Sequence, residues 1–216
     1  MQIAILGGTG PQGRGLASRF ARDGHQVSVG SRDADRAAQA AGELNDRLPN
    51  GVTVGAGTNL EVVTDADLTI IAVPYDGQAA LLADLVDALA GQLVVNCVNP
   101  LGFDKQGPHG IEVPEGSAAE QAAAILERST VVAGFHHLAA AVLLDDGPVH
   151  DETVMVCGDD ADAKATVIGL CGAVAQRGGV DAGPLRNARY LEPLTAVLIS
   201  INKAYKAQSG IAISGV

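Results

Sequence analysis

The chain has 216 residues, of which 47% are hydrophobic, and its 25 acidic residues outnumber the 14 basic ones, for a formal net charge of −11. The apolar fraction excludes a disordered chain, and the net charge excludes a nucleic-acid partner because phosphates would be repelled. The length predicts one domain, or one domain with a smaller companion. With no basic leader and no apolar run of roughly 20 residues, we expect a soluble, cytoplasmic protein that spans no membrane.

Short β-type runs alternate along the chain with amphipathic stretches of helical length. The predicted strands are Gln2 to Leu6, Gln26 to Gly30, Val52 to Val54, Leu68 to Val73, Leu93 to Asn96, Thr130 to Gly134 and Thr153 to Cys157. The predicted helices are Pro11 to Asp23, Ala34 to Leu48, Asp76 to Leu89, Ser117 to Glu127, Asp160 to Ala175 and Leu185 to Gln208. Pro193 predicts a kink or break in the last of these, and Gly102 to Gly116 predicts a long surface loop.

Strand, helix and strand in repetition predict an α/β protein with a doubly wound parallel sheet. We predict a Rossmann-type, nucleotide-binding domain over residues 1–135 and a smaller C-terminal α/β domain over residues 136–216. Cys97, Cys157 and Cys171 are odd in number and far apart, so they predict free thiols in a reducing compartment and no zinc site.

A glycine-rich turn follows the first predicted strand. Gly8, Gly10 and Gly13 satisfy G-x-G-x-x-G between that strand and a helix, and a second strand follows about 20 residues later, which is the context of a dinucleotide-binding turn. Glycine is needed there because the backbone must turn sharply and approach the pyrophosphate. A glycine-rich turn without a ligand is the alternative. The expected nucleotide contacts are Gly8, Thr9, Gly10, Pro11, Gln12 and Gly13.

The end of the second predicted strand distinguishes NADP from NAD. A site that prefers NAD places an acid here for the ribose 2′-hydroxyl, whereas this chain has Ser31 and Arg32, with Arg36 one helical turn later. A serine hydroxyl and two guanidinium groups suit a 2′-phosphate. We therefore predict NADP, the alternative being that both arginines are only solvated charges at the start of a helix.

Two later strands end in residues that can line a ligand site, because ligands bind at the carboxyl ends of strands in open α/β sheets. Tyr75 follows one of them and either covers the nicotinamide or packs on the next helix. His136 and His137 follow another; adjacent residues of an extended segment point to opposite sides, so we expect no metal site. His136 is interpreted as a wall or hydrogen-bond donor of the pocket.

The last predicted helix carries an apolar stripe that is typical of a buried or a subunit-facing helix. Its members are Leu191, Leu194, Leu198 and Ile201. We expect a homodimer contact there, although core packing gives the same pattern.

Several motifs together carry a family resemblance. They are Gly7-Gly8-Thr9-Gly10, Ser31-Arg32, Val73-Pro74, Phe135-His136, Val156-Cys157-Gly158-Asp159-Asp160 and Asp181-Ala182-Gly183-Pro184-Leu185. In this order, over essentially the whole chain, they resemble the NADPH-dependent coenzyme F420 reductases (F420:NADP oxidoreductases). The resemblance implies direct hydride transfer between C4 of the nicotinamide of NADP(H) and C5 of the 5-deazaflavin, which is the substrate, without a bound flavin or a metal.

The resemblance also implies site residues. Beyond the glycine-rich turn, the nucleotide contacts that it implies are Ser31, Arg32, Arg36, Val73, Pro74, Tyr75, Ala79, Leu101 and Ala140. It places the deazaflavin against His136, Leu138, Ser209, Gly210 and Ile211. Some members have Asn-Leu where this chain has Pro11-Gln12, and Ile-Pro where it has Leu138-Ala139.

Other functions stay open at this point: an NADPH-dependent reductase of a flavin or an imine, or a non-catalytic module that senses NADP. The charge distribution favours small anionic coenzymes. Residues 1–36 carry +2 (five Arg, three Asp), residues 185–216 carry +3 (four basic residues, one Glu) and residues 37–184 carry −16 (five basic, 21 acidic), which sums to −11. The candidates for the anionic tail of F420 are Arg186, Arg189, Lys203 and Lys206.

Overall fold

The protein is described by a computed structural model that covers residues 1–216. Its strands are β1 Gln2–Leu6, β2 Gln26–Ser31, β3 Val54–Thr58, β4 Leu68–Ile71, β5 Leu93–Asn96, β6 Leu101–Asp104, β7 Gly107–Gly110, β8 Thr130–Ala133, β9 Val154–Gly158 and β10 Gly179–Asp181. Its α-helices are α1 Pro11–Arg22, α2 Ala34–Asn45, α3 Asn59–Thr64, α4 Tyr75–Leu85, α5 Ala118–Ile125, α6 Ala140–Leu144, α7 Ala161–Leu170, α8 Ala188–Leu191 and α9 Leu194–Tyr205. Two 3-10 turns lie at Cys171–Ala173 and Leu185–Asn187.

Eight of the strands form one twisted sheet in the order β10-β9-β8-β5-β4-β1-β2-β3. The strands from β3 to β8 in this order are parallel, and the central ones, β1, β4, β5 and β8, are mostly apolar and buried because helices cover both faces. The chain order reverses between β1 and β4, which is where open α/β sheets bind ligands. The predicted fold class, an α/β protein with a doubly wound sheet, is confirmed.

The sheet continues past residue 135, the predicted end of the Rossmann-type domain. That boundary falls in the turn after β8, but β9 pairs antiparallel with β8 (Val132 with Gly158, Ala133 with Cys157) and β10 extends the same sheet. Since β9 runs opposite to β8, its first residues reach the edge of the sheet where β8 ends. Residues 136–216 therefore contribute directly to the edge that carries the predicted site.

A buried arginine ties α6 to α1. Arg19 donates hydrogen bonds to four backbone carbonyls at and beyond the C-terminus of α6, those of Val142, Leu143, Asp145 and Gly147, at 2.7–3.1 Å. The bonds satisfy carbonyl groups that a helix end leaves without partners. Gly15 faces Leu143 with no room for a Cβ, so the two helices pack closely.

Two of the next three segments differ from the sequence prediction, and one agrees with it. The predicted loop from Gly102 to Gly116 was wrong, because it contains most of the hairpin β6–β7, whose turn uses Gly107 at φ 122° and the Asp104 carboxylate, which accepts from two turn N–H groups. The predicted helix from Leu185 breaks at Pro193 into α8 and α9, as expected. The prediction missed α3, which a capping box of Thr58 and Glu61 begins.

No helix of the structure is long and apolar enough to cross a bilayer. All three cysteines are buried and unpaired.

Candidate active site

The glycines after β1 shape a turn that admits no side chains at three of its positions, Gly7, Gly8 and Gly13. Gly7 adopts φ 77°, and a Cβ on Gly8 would overlap Val29 of β2. A Cβ on Gly13 would lie 2.7 Å from the carbonyl oxygen of Gly7, so only glycine lets α1 close on the turn. A Cβ on Gly10 would meet only that same oxygen, at 3.4 Å. Internal packing therefore explains Gly8 and Gly13, whereas Gly10 faces open space where a pyrophosphate would approach.

The first turn of α1 presents free N–H donors. Pro11 begins the helix, Gly10 caps it without a side chain, and the N–H groups of Gln12 and Gly13 have no acceptor within the protein. Helix N-termini of this kind attract anions through these donors and the helix dipole. These N–H donors and the glycine-rich turn together fit the pyrophosphate of a dinucleotide.

The segment after β2 supplies unpaired positive charge beside this turn. The first acid after β2, Asp33, caps α2 by accepting from the N–H groups of Asp35 (2.9 Å) and Arg36 (3.3 Å). Ser31 ends β2, and the exposed guanidinium groups of Arg32 and Arg36 form no ion pair. This pattern fits the 2′-phosphate of NADP and lacks the acid that a 2′-hydroxyl would need.

Three polar side chains follow β4, β5 and β8, which are neighbours in the sheet. Tyr75 accepts a hydrogen bond from Gln121 at 3.3 Å and is half-buried. Asn99 donates to the backbone carbonyl of His136 at 2.7 Å, and its own side-chain oxygen is buried without a partner. Asn99 was not among the predicted site residues, although a polar residue three positions after a buried strand and directly before a proline was the available signal.

The His136 segment is a turn and not an extended strand, so the assumption that His136 and His137 point to opposite sides of a strand was wrong. Phe135 adopts φ 66°, and the two imidazole rings lie 6.2 Å apart in an edge arrangement. Gln12 donates to the Phe135 carbonyl at 3.2 Å, which fastens this turn to the phosphate turn. No group of three or more His, Cys, Asp or Glu side chains is arranged to hold a metal.

His136 is uncharged and has unused hydrogen-bonding capacity. It is 2% exposed, and neither ring nitrogen has a hydrogen-bond partner. Burial, with a smaller contribution from His137, lowers the pKa of His136 to about 3, and the nearby carbonyls of Asn96 and Gly134 oppose the shift without a well-aligned bond. A neutral imidazole offers one donor and one acceptor to a ligand but does not serve as an acid at neutral pH.

The C-terminal residues meet the His136 turn through Thr153. The Thr153 N–H donates to the Ile211 carbonyl at 2.7 Å, and the Thr153 carbonyl lies 2.9 Å from Nε2 of His137. Ser209 is held by its N–H, which donates to Asn202 of α9 at 2.6 Å. The structure thus places the predicted Ser209–Ile211 contacts next to the His136 turn, although they are more than 70 residues away in sequence.

The remaining predicted contacts take varied positions. Val73 packs against Gly7, Leu138 is buried in the His136 turn, and Ala140 begins α6 beside Gly15. Pro74 and Ala79 are exposed at the start and along the surface of α4, and Leu101 begins β6 half-buried.

Some basic side chains are already bonded to acids or carbonyls of the protein, and others have no ion-pair partner. In the first 36 residues, Arg14 and Arg22 pair with Glu43 and Asp146, and Arg19 is buried on the carbonyls described above. Among the candidates for the F420 tail, Arg189 pairs with Glu120 at 2.5 Å. Apart from Arg19, the basic side chains that form no ion pair are Arg32, Arg36, Lys105, Arg186, Lys203 and Lys206.

A largely parallel sheet with a topological switch point, a glycine-rich turn with free N–H donors and a basic pair after β2 are the features of a dinucleotide-binding protein of the Rossmann class, and the basic pair fits NADP. Comparison with known proteins narrows this class. The family model described as coenzyme F420-dependent NADP oxidoreductase matches residues 2–100. The F420-dependent NADP reductase of Methanothermobacter marburgensis is 37% identical over 210 residues, which cover 94% of this chain and 92% of that protein.

Two further relatives agree. The F420-dependent NADP reductase of Methanocaldococcus jannaschii is 35% identical and covers 99% of this chain and 98% of its own. The crystal structure of a candidate F420-dependent NADP reductase from Arthrobacter sp. FB24 has a TM-score of 0.84 at 30% identity, with both chains covered in full. The chain belongs to the F420-dependent NADP reductase family, and the resemblance stated from the sequence motifs is confirmed.

Proposed function

We propose that the protein is an oxidoreductase that transfers a hydride directly between NADP(H) and the 5-deazaflavin coenzyme F420. When both coenzymes are bound, the hydride moves between C4 of the nicotinamide and C5 of the deazaflavin, and a proton exchanged with solvent balances the reaction. The observation that carries the proposal is the bond from Gln12 to the Phe135 carbonyl. It joins a phosphate-binding turn to a turn with unsatisfied polar groups at one edge of the sheet, so two ring systems can meet there.

The nucleotide side is formed by the turn after β1 and the segment after β2. The N–H groups of Gln12 and Gly13 bind the pyrophosphate, and Ser31, Arg32 and Arg36 bind the 2′-phosphate. Further contacts come from the turn after β4 and the start of α6, with the residues Gly8, Thr9, Gly10, Pro11, Val73, Pro74, Tyr75, Ala79, Leu101 and Ala140. The Gln12 side chain takes no part in this contact, since it is directed to the Phe135 carbonyl.

The deazaflavin side is formed by residues 136–216, which complete the pocket that residues 1–135 begin. Its contacts are His136, Leu138, Ser209, Gly210 and Ile211. A hydride transfer between two bound rings depends on orientation, and the neutral His136 serves that need as a hydrogen-bonding wall. The unpaired Arg186, Lys203 and Lys206 are the stronger candidates for the anionic tail, because Arg189 is engaged by Glu120.

We also propose that the protein is a homodimer in the cytoplasm. Val197, Ile201 and Tyr205 are exposed at spacings of four residues on α9, and Tyr205 is 78% exposed. Such an apolar helix face suits an interface between copies. The three unpaired thiols suit a reducing compartment. Analytical ultracentrifugation of Ile201→Asp tests the dimer: we expect a monomer, and an unchanged sedimentation coefficient would contradict this placement.

The decisive experiment mixes purified protein, NADPH and oxidised F420 and follows the loss of deazaflavin absorbance. We expect rapid bleaching with F420, none with FMN, and no NADPH consumption with a cyclic imine. No bleaching with any acceptor, together with tight NADP binding, would favour a sensing module instead. His136→Ala is expected to slow F420 turnover more than it weakens NADP binding. A variant that turns over F420 as fast as the wild type would show that His136 does not line the pocket.

A further inference from the structure

Glu152 is a buried acid that the hydride transfer does not use. It precedes β9 and is 3% exposed, and its Oε2 atom has no hydrogen-bond partner. Gly210 lies directly against this carboxyl group, since a Cβ on Gly210 would overlap Oε2. A buried carboxylate without sufficient donors is costly, whereas the neutral acid is not.

The residues that pack on Glu152 belong to the end of the chain. We name residues 209–213 the C-terminal strap. The strap follows α9 and has no regular secondary structure, so it depends on a few bonds: Thr153 N–H to the Ile211 carbonyl (2.7 Å), Ile213 N–H to Oγ1 of Thr153 (3.1 Å) and Ser209 N–H to Asn202 (2.6 Å). Two of these bonds are made to the residue next to Glu152, so the state of Glu152 bears directly on whether the strap stays docked.

We propose that Glu152, as the neutral carboxylic acid, is the positioning residue that holds the C-terminal strap on the deazaflavin side of the site, and that its ionisation releases the strap. The inference rests on the proposed function, because it assumes that Ser209, Gly210 and Ile211 line the deazaflavin pocket. Glu152 itself touches neither coenzyme in this proposal. It acts through Gly210 and Thr153 on the residues that do.

The electrostatic surroundings support a neutral Glu152. Burial raises its pKa to about 7, and only the Ile211 backbone N–H opposes the shift. Asp151 precedes Glu152, and the Arg177 N–H donates to the Glu152 carbonyl at 3.2 Å. The side chains of Asp151 and Arg177 are exposed and pair with each other at 2.7 Å, so neither charge compensates a buried carboxylate. His137 faces the Thr153 carbonyl, and its pKa is lowered by burial, so it is uncharged as well. The segment before β9 presents His150 through its backbone carbonyl, which accepts from the Glu152 N–H.

The sign of the pH dependence follows from linkage. A docked strap keeps Glu152 protonated up to about pH 7, whereas a released strap exposes it and lets it ionise near its ordinary pKa of about 4.5. Docking is therefore fully stabilised below pH 4.5 and weakens by up to about tenfold per pH unit as the pH rises to 7. Glutamine has the same shape and no charge, so Glu152→Gln removes this dependence.

The first experiment measures hydrogen exchange at the N–H groups of Thr153 and Ile213 from pH 5 to 8 in the full chain, corrected for intrinsic exchange. We expect protection in the wild type to fall by up to about a hundredfold between pH 5 and 7. In Glu152→Gln the protection should not change with pH. Glu127→Gln, which removes an exposed carboxylate elsewhere, should behave like the wild type. The same pH dependence in the wild type and Glu152→Gln would overturn the proposal.

The second experiment measures KM for F420 and the Kd for NADP over the same pH range. The KM for F420 should rise with pH in the wild type and stay level in Glu152→Gln, while the Kd for NADP should be equal in both. A strap that is released without any change in KM would overturn its positioning role. If neither protein reduces F420 at any pH, the proposed function fails, and the exchange result still decides whether Glu152 holds the strap.

A double-mutant cycle checks the contact itself. Gly210→Ala places a methyl group on the Glu152 carboxyl and should increase exchange at Ile213 about tenfold or more, whereas the same change in a Glu152→Ala background should have little effect. Equal effects of Gly210→Ala in the two backgrounds would show that Glu152 does not hold the strap.

Discussion

The two halves of the candidate site are built differently. The nucleotide half, residues 7–13 and 31–36, comes from two short segments that follow adjacent strands, and its donors are backbone N–H groups and side chains within a few residues of each other. The substrate half comes from the turns after β5 and β8, the start of β9 and the C-terminal strap, which are distant in sequence. Local geometry alone therefore maintains the first half, whereas the second half exists only while several packed elements stay together.

The largest effect is expected at Arg19, which ties α6, the helix after the His136 turn, to α1. Arg19→Met should leave the carbonyls at the end of α6 without their donors and lower the free energy of unfolding by about 4 kcal/mol. Chemical denaturation measures this loss. Arg14→Met removes only an exposed ion pair with Glu43 and should cost less than about 1 kcal/mol. Equal losses in the two variants would mean that Arg19 does not anchor α6.

Substitutions at two glycines of the nucleotide half should distinguish an effect on stability from an effect on NADP binding. Gly13→Ala forces a methyl group against the backbone of Gly7 and should lower the free energy of unfolding by about 3 kcal/mol. Gly10→Ala has room in the protein and should cost less than about 1 kcal/mol, yet it should weaken NADP binding because the methyl group occupies the approach of the pyrophosphate. Calorimetric binding and thermal unfolding measure both. Gly10→Ala with full NADP affinity would contradict this placement of the pyrophosphate.

The basic pair after β2 should control coenzyme choice. Replacing both Arg32 and Arg36 by alanine removes the charge-assisted bonds to the 2′-phosphate and should weaken NADP binding about a hundredfold, with little change for NAD. Titration calorimetry with both coenzymes checks the difference. Arg128→Ala, which removes an arginine paired with Asp87 far from the site, is the control for net charge. If the affinity of the double variant for NAD falls as much as its affinity for NADP, the two arginines do not bind the 2′-phosphate.

The buried imidazole of the substrate half should appear in the pH dependence of stability. The pKa of His136 is lowered to about 3, so the folded state binds fewer protons than the unfolded state, and stability is lost as the pH falls below about 6.5. His136→Asn should reduce this loss by about 1 kcal/mol per pH unit between pH 6 and 4. Urea denaturation at each pH measures the slope, and His109→Asn at an exposed position should leave it unchanged.

The smallest effect is expected at the bond that joins the halves. Gln12→Leu removes the donor to the Phe135 carbonyl and should lower the free energy of unfolding by about 1 kcal/mol. Turnover with F420 should fall several-fold while the Kd for NADP changes little, because only the relative position of the two turns is altered. Steady-state kinetics and calorimetry measure the two quantities. A Kd for NADP that changes more than turnover would place the Gln12 side chain on the nucleotide instead.

The sequence predicted more of the nucleotide half than of the substrate half. The spacing of Gly8, Gly10 and Gly13 and the absence of an acid at Ser31 predicted the nucleotide half, because each signal lies within a single strand-turn-helix unit. For the substrate half, the place of His136 after a predicted strand indicated a pocket residue, and the family resemblance supplied Ser209 to Ile211. The residues that join these segments, Asn99 and Thr153, and the acid that abuts the strap, Glu152, were not found, since their partners lie on other elements.

By itself the sequence determined the alternation of strands and helices, the glycine-rich turn after β1, the charge after β2 and the family. These depend on periodicity, glycine geometry and residue type, which act over one or two turns of chain. Only the tertiary structure decided that residues 136–216 extend the same sheet, that Arg14, Arg19, Arg22 and Arg189 are already engaged, and that the last residues return to Glu152 and Thr153. Ion pairing, burial and hydrogen bonding depend on which distant groups meet, and packing alone determines that.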